Sequence, residues 1–307
     1  MKRRTFVKSS IVGATALAST PLLSSFTPSK SLKISLAQWS LHRSFEDGKL
    51  DPVDFASIAK ERYNIDAAEY VNGFYRKSAT DEPFWNQMKE RSGKAGVKNL
   101  VIMVDDEGDL GTADKQARLQ AVENHYKWMH AAKIMGCHSV RVNAFGDPDR
   151  DTYRAAIMDG MSRLAGYAAK VKINIIIENH GLFSSDAALI AGIIKDVNMP
   201  NFGAFPDFGN WCLSAKWGST QEDCDKVYDR YQGVGELLPY AKAVSAKSYN
   251  FNEKGEDTKI DYYKMLKIVK NSDYDGYIGI EYEGMEKEEH EGILITKALM
   301  EKAWNNI

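Results

Sequence analysis

The chain has 307 residues, 44% of them hydrophobic, enough for one large core or two modest ones. An eight-fold β/α barrel takes roughly 250 residues, so length alone does not demand two domains. Its 40 basic and 42 acidic residues are intermixed, for a formal net charge of −2, and the absence of a basic block argues against nucleic acid as a partner.

The first 30 residues differ in kind. Lys2-Arg3-Arg4 precedes Phe6 and Lys8, and a mild apolar stretch from Ile11 to Leu23, rich in Ala, Ser and Thr, follows. A basic start, a short apolar centre and a small-residue finish are the parts of a secretory signal. The paired arginines make the segment similar to a twin-arginine signal. As a membrane anchor it is too short and too polar to supply the ~20 residues a bilayer needs. The expectation is an exported or periplasmic protein whose mature part is residues 31–307, with no membrane span after signal removal. Of the three cysteines, Cys137 follows Ile134-Met135-Gly136 and reads as core. Cys212 and Cys224 are able to pair, though nothing in their spacing demands it, and no C-x-x-C metal motif is present.

From residue 32 onward, short apolar β-type runs alternate with helix-period stretches. The strand candidates are 33–38, 66–70, 97–104, 139–143, 173–178, 202–207, 243–248 and 277–281. The helix candidates are 52–62, 83–95, 113–135, 150–170, 186–196, 221–238, 260–271 and 287–304. Strict alternation of Val/Ile-rich strands with helices gives a parallel sheet. Eight such repeats closing on themselves give an α/β fold, a single-domain (β/α)8 TIM barrel. A doubly wound sheet would favour a G-x-G-x-x-G turn after the first strand, whereas here Gln38-Trp39-Ser40-Leu41-His42 follows without a glycine, which argues against a dinucleotide site.

Three segments place a carboxylate just after an apolar run: I-I-I-E-N-H ending at His180, A-F-P-D-F-G-N ending at Asn210, and Y-I-G-I-E-Y-E-G ending at Gly284. Glu178, Asp207 and Glu281 thus fall at the C-terminal ends of strands, where barrels build their sites. At ~4 Å and an effective dielectric of about 20, each carboxylate pair repels by about 4 kcal/mol. A divalent cation removes that cost, so the triplet reads first as a metal site. Hard carboxylate oxygens suit Mg²⁺, Mn²⁺ or Ca²⁺. Taken singly, each carboxylate has a duller reading as a helix cap or the partner of a lysine. The other strand ends offer Gln38, Trp39, His42, Glu69, Arg141, Asn143, Asn179, His180, Asn210, Ser245, Lys247, Ser248 and Glu283. Among these, His180 reads as a pocket hydrogen-bonder and Lys247 as facing the site, while His125 and His130 read as structural. Trp39, Phe74, Phe145, Phe183 and Trp211 lie near strand ends, either as sugar-stacking faces or as core.

These motifs, with V-S-A-K-S at the seventh strand, resemble the xylose-isomerase-like barrel superfamily and its sugar phosphate isomerase/epimerase branch, over residues 32–307. The resemblance implies a divalent metal (Mn, Mg or Co) held by Glu178, Asp207 and Glu281, with the family's histidine ligand falling at Ser245, a departure. It also implies that Glu178 and Glu281 move a proton on either face of the carbon beside a carbonyl; from the strand-end reading, Trp39, Glu69, Asn143, His180, Asn210 and Lys247 are expected to contact a small carbohydrate. Asn210 stands where these epimerases often place a histidine. The reaction expected is carbohydrate isomerisation or epimerisation. Two alternatives stay open: a 3-keto-glycoside lyase using the same enediolate to expel a substituent, and a non-catalytic periplasmic carbohydrate-binding barrel. The superfamily's endonuclease branch needs many histidines, and the six here are poorly placed for it. A homo-oligomer is compatible with the sequence.

Overall fold

Eight strands, each followed by helical structure, curl into a parallel barrel in a computed structural model that describes residues 30–219 and 224–307. The expected export signal lies outside the described residues, and Ser31–Ile307 forms one compact unit. The strands are β1 (Ile34–Ala37), β2 (Ala67–Val71), β3 (Lys98–Val104), β4 (Ser139–Asn143), β5 (Asn174–Glu178), β6 (Phe202–Phe205), β7 (Val244–Ser248) and β8 (Ile278–Tyr282). Each pairs in parallel with its sequence neighbour from β1 to β6, β7 pairs with β8, and β8 returns to β1 through Ile34–Ile278 and Leu36–Ile280. Between β6 and β7 the ring is closed by the bridges Ala204–Ala241 and Asp207–Ser245, with the Ser245 N–H donating to Pro206 O at 3.0 Å.

The helices are α1 (His42–Glu46), α2 (Phe55–Tyr63), α3 (Glu82–Lys94), α4 (Lys115–Asn124), α5 (Tyr126–Met135), α6 (Arg150–Val171), α7 (Ala187–Val197), α8 (Arg230–Leu237), α9 (Tyr262–Asn271) and α10 (Glu289–Asn305). Two differ from the periodicity-based expectation. The segment 113–135 is two helices that break at His125, whose Nδ1 bonds Ala121 O at 2.7 Å. For the segment expected at 221–238, of which residues 221–223 lie outside the described residues, the helix described starts at Arg230, where Asp229 accepts the Gln232 N–H. Ahead of it, Cys212 and Cys224 are joined by a disulfide. Among the described residues no helix is long and apolar enough to cross a membrane.

Alternation along each strand sorts the side chains into two sets. Leu36, Tyr70, Ile102, Val140, Val142, Ile175, Ile177, Val244 and Ile280 join the large cluster that also holds the helix residues. Ala37, Ala67, Val71, Val101, Met103, Ile176, Phe205 and Ala243 form a separate cluster, the apolar part of the barrel lumen. The remaining inward positions are polar and buried: Ser35, Glu69, Arg141, Glu178, Ser245, Lys247 and Glu281. Apolar and charged groups therefore share the lumen.

Glu69 corrects one expectation. Instead of reaching a substrate, its carboxyl is sealed in the lumen, 2.6 Å from Ser35 Oγ and against Gly279, where an added Cβ would stand 2.7 Å from either carboxyl oxygen. Burial pushes its pKa up to about 8, with Ser35 offsetting part of the rise and Glu281 adding to it. The folded chain thus keeps this group protonated through neutral pH, while the unfolded chain ionises it above its ordinary 4.5. Folding stability is therefore lost as pH rises between those two values. Glu69→Gln should remove this slope and gain on the order of 3 kcal/mol over the parent between pH 5 and pH 8, at about 1.36 kcal/mol per pKa unit. Urea denaturation at several pH values checks this, and parallel curves for the two proteins would refute it.

The disulfide closes a loop with a sequence separation of 12 residues, and loops of about this length stabilise by about 3 kcal/mol. The Cys212→Ser/Cys224→Ser double variant should lose about 2–4 kcal/mol in equilibrium denaturation while keeping its far-UV circular dichroism. An unchanged denaturation midpoint would show that the bond contributes nothing.

Candidate active site

Three carboxylates converge at the C-terminal mouth. Glu178 ends β5, Asp207 follows β6 by two residues and Glu281 sits one residue from the end of β8; one oxygen of each lies within 4.8 Å of the others. All three are buried. Asp207 Oδ1 also caps its own turn, accepting the Gly209 and Asn210 N–H groups at 2.7 and 2.8 Å, so the capping and cluster readings are both true of it. Its Oδ2 meets Ser245 Oγ at 2.5 Å, and the same hydroxyl stands 2.8 Å from Glu281 Oε2. A serine has one proton to donate. It satisfies one of the two carboxylates, and the other contact brings oxygen against oxygen unless positive charge is supplied.

Burial is the main influence on two of these acids, Asp207 and Glu178. It lifts Asp207 to about 7 against the pull of Lys247, and it raises Glu178 well above the carboxylate range against the pull of Arg141, with Glu281 and Asp207 adding to the rise. Glu178 Oε2 has no aligned hydrogen bond, although Arg141 Nε lies 2.7 Å away. The demand for positive charge is met by protons or by a divalent cation. An all-oxygen donor set of three carboxylates and one hydroxyl fits a cation well.

Two buried cations flank the cluster. Arg141, on β4, also reaches Asp105 Oδ1 at 2.5 Å and holds that carboxyl below its ordinary pKa despite its burial. Lys247 Nζ, 1% exposed, stands 3.5 Å from Glu281, 3.2 Å from Glu283 and 3.2 Å from Asn210 Oδ1. Burial disfavours its charge, yet Glu281, Glu283 and Asp207 keep its pKa well above the usual lysine value. Asn210 donates to Glu178 Oε1 at 3.1 Å. Asn210 and Lys247, expected on the substrate, are thus engaged with the acids, and Asn179 straps the Asp207 turn through the Asp207 N–H and carbonyl.

Above the cluster opens a cavity of about 580 Å³, whose walls include Trp39, Phe74, Arg76, Arg141, His180, Trp217, Glu281 and Glu283. Trp39 Nε1 donates to Glu283 Oε1 at 2.7 Å, and its ring stacks on His42 at 4.5 Å. His180 Nδ1 lies 2.8 Å from Asn143 Oδ1. Because that oxygen only accepts, the proton is on Nδ1 and Nε2 is left as an acceptor. Burial, then Arg141 and Lys247, keep the imidazole neutral by lowering its pKa well below the usual value. Asn143 donates onward to Asp105 at 2.7 Å, so it orients His180. Of the aromatic candidates, Trp39, Phe74 and Phe145 lie at or beside the cavity. Trp211 is core, with Gly233 packed on its ring, and Phe183 packs on Tyr153.

Asp105, the Arg141–Glu178 pair and Trp217 were not among the expected site contacts. Asp105 was findable by the strand-end rule, since it follows the apolar run 98–104. Trp217 lies in a loop with no periodicity to mark it.

The family model described as a xylose isomerase-like TIM barrel matches residues 54–302. No curated protein matches the chain. Among solved structures, the apo form of 3-keto-D-glucoside 4-epimerase from E. coli is 13% identical, covers 89% of this chain and 100% of its own, and superposes with a TM-score of 0.66. D-psicose 3-epimerase in the presence of D-fructose is 12% identical, with coverage of 89% and 96% and a TM-score of 0.60. The IolI protein with a zinc atom is 13% identical, with coverage of 90% and 99% and a TM-score of 0.66. At such identities the likeness establishes the fold. With most of its length matched and its strands closed into a ring, the chain belongs to the xylose isomerase-like TIM-barrel family.

Proposed function

We propose that this protein is a divalent-metal-dependent carbohydrate isomerase or epimerase that moves a proton on the carbon beside a carbonyl. The observation that carries this reading is the placement of Glu281. It borders the cavity, while Glu178, Asp207 and Ser245 complete an oxygen cluster behind it. The sugar epimerases among the structural neighbours support the same class of chemistry.

When bound, a divalent cation would be held by Glu178, Asp207 and Glu281 and would polarise the substrate carbonyl. With a hydroxyl at Ser245, Mg²⁺ or Mn²⁺ suits the oxygen donors better than a softer ion, with Co²⁺ the further candidate. Glu281 removes the proton, and Glu178 is the second acid/base group that returns it. Arg141 holds Glu178 in place and Lys247 holds Glu281. Neutral His180 accepts a hydrogen bond from a substrate hydroxyl at Nε2, and the indole of Trp39 forms part of the wall. Return of the proton to the opposite face gives an epimer; return to the neighbouring carbon gives an isomer. If the substrate carries a leaving group next to the deprotonated carbon, the same step ends in elimination, and the cavity has room for such a group. Export belongs to this reading: a disulfide of the Cys212–Cys224 kind persists in oxidising compartments.

Glu281→Gln and Glu178→Gln should each slow solvent-deuterium incorporation into a bound keto-sugar by at least about a hundredfold, within the usual range for general acid–base groups. Both variants should keep the parent's far-UV circular dichroism, so that lost exchange is separated from lost fold. Exchange at the parent rate in either variant would sink the two-glutamate mechanism.

A further inference from the structure

Trp217 is 41% exposed, among the few large apolar side chains left so open. It also has a left-handed backbone, with φ of 69°, a conformation that costs a non-glycine residue free energy and that clusters at ligand clamps. The surroundings hold it there. The loop is stapled by Cys212–Cys224, and Leu182 N–H donates to both Cys212 O and Ala215 O at 3.1 Å. Gly181, at φ of 102°, lets the loop approach so closely that a Cβ there would be 2.2 Å from Ala215 O. The indole stands edge-on to His180, with ring centroids 4.9 Å apart, and to Phe145 at 5.3 Å. His180 in turn is 3.8 Å from Glu178. Trp217 is therefore one ring's width beyond the carboxylate cluster, on the wall of the same cavity.

Two further observations define what such a wall would hold. The cavity volume of about 580 Å³ falls inside the roughly 300–1,000 Å³ range of drug-sized ligand sites, more than one hexose ring fills. Among the described residues, the two cations on its walls are already engaged, Arg76 with Asp106 at 2.7 Å and Arg141 with Asp105 and Glu178. With Glu46, Glu281 and Glu283 also on the wall, an anionic group such as a sugar phosphate finds no uncommitted guanidinium and meets like charge. An indole face, by contrast, takes the C–H face of a pyranose or an aromatic ring.

The geometry points to a second subsite at Trp217 that holds the non-reacting half of an uncharged, two-part carbohydrate, either a second sugar ring or an aromatic aglycone. This rests on the proposed function, which places the reacting ring at Glu281. The test is isothermal calorimetry on the disulfide-intact full chain, titrated with the methyl glycoside, the phenyl glycoside and the disaccharide form of one 3-keto-hexose. The phenyl glycoside or the disaccharide should bind at least about tenfold tighter than the methyl glycoside. Trp217→Ala should erase that advantage while changing methyl-glycoside affinity less than about threefold, and Trp217→Phe, which keeps a ring, should retain most of it. Equal affinity for all three ligands, or an advantage that survives Trp217→Ala, would overturn the subsite while methyl-glycoside deuterium exchange left the proposed function standing. No binding and no exchange with any of them would overturn both.

Discussion

The structure depends on burying like charge at the mouth of a barrel. Four carboxyls, Glu69, Glu178, Asp207 and Glu281, are buried together, with Asp105 and Glu283 at their edge, and among the described residues only Arg141 and Lys247 stand among them as cations. If all six were ionised, the cluster would be four positive charges short. Each close pair repels by about 4 kcal/mol, while the net stability of a domain is only about 5–15 kcal/mol. The fold therefore cannot carry the cluster uncompensated. Glu69 takes the simplest way out and stays neutral. The upper three share Arg141, Lys247 and the single Ser245 proton, and the proposed cation would meet their remaining deficit.

The barrel makes that arrangement reproducible. A strand period of two sends alternate residues inward, so Ser245 and Lys247 on β7 and Glu281 and Glu283 toward the end of β8 are aimed at one axis by backbone register alone. Small and apolar side chains share the lumen with the acids, and burial there raises the pKa values of Glu69, Glu178 and Asp207. The cost of that desolvation falls on the fold, and the reactivity it creates belongs to the site.

Much of this was legible in the sequence because both signals are local. Apolar runs mark strands, and strict alternation with helices marks the barrel; the strand at Ser139–Asn143 falls on the residues expected, and the others shift by one or two residues at their ends. The strand-end rule found Glu178, Asp207 and Glu281, which meet as expected, and it would have found Asp105. It misplaced Glu69 because a carboxylate in the middle of β2 looks the same in sequence as one at its end. What sequence could not give was pairing across the ring. Arg141 reaches Glu178 from the neighbouring strand, Asn210 bridges Glu178 and Lys247, and Trp217 arrives over the site on a disulfide loop whose path has no hydrophobic period.

Anomalous diffraction from crystals of the protein soaked with Mn²⁺ tests the central claim most directly. The account predicts one Mn²⁺ per chain among the carboxylates of Glu178, Asp207 and Glu281, with the peak lost in Asp207→Asn. Crystals saturated with Mn²⁺ that show no peak at these three residues would contradict it, leaving protons and the two buried cations as the cluster's whole compensation.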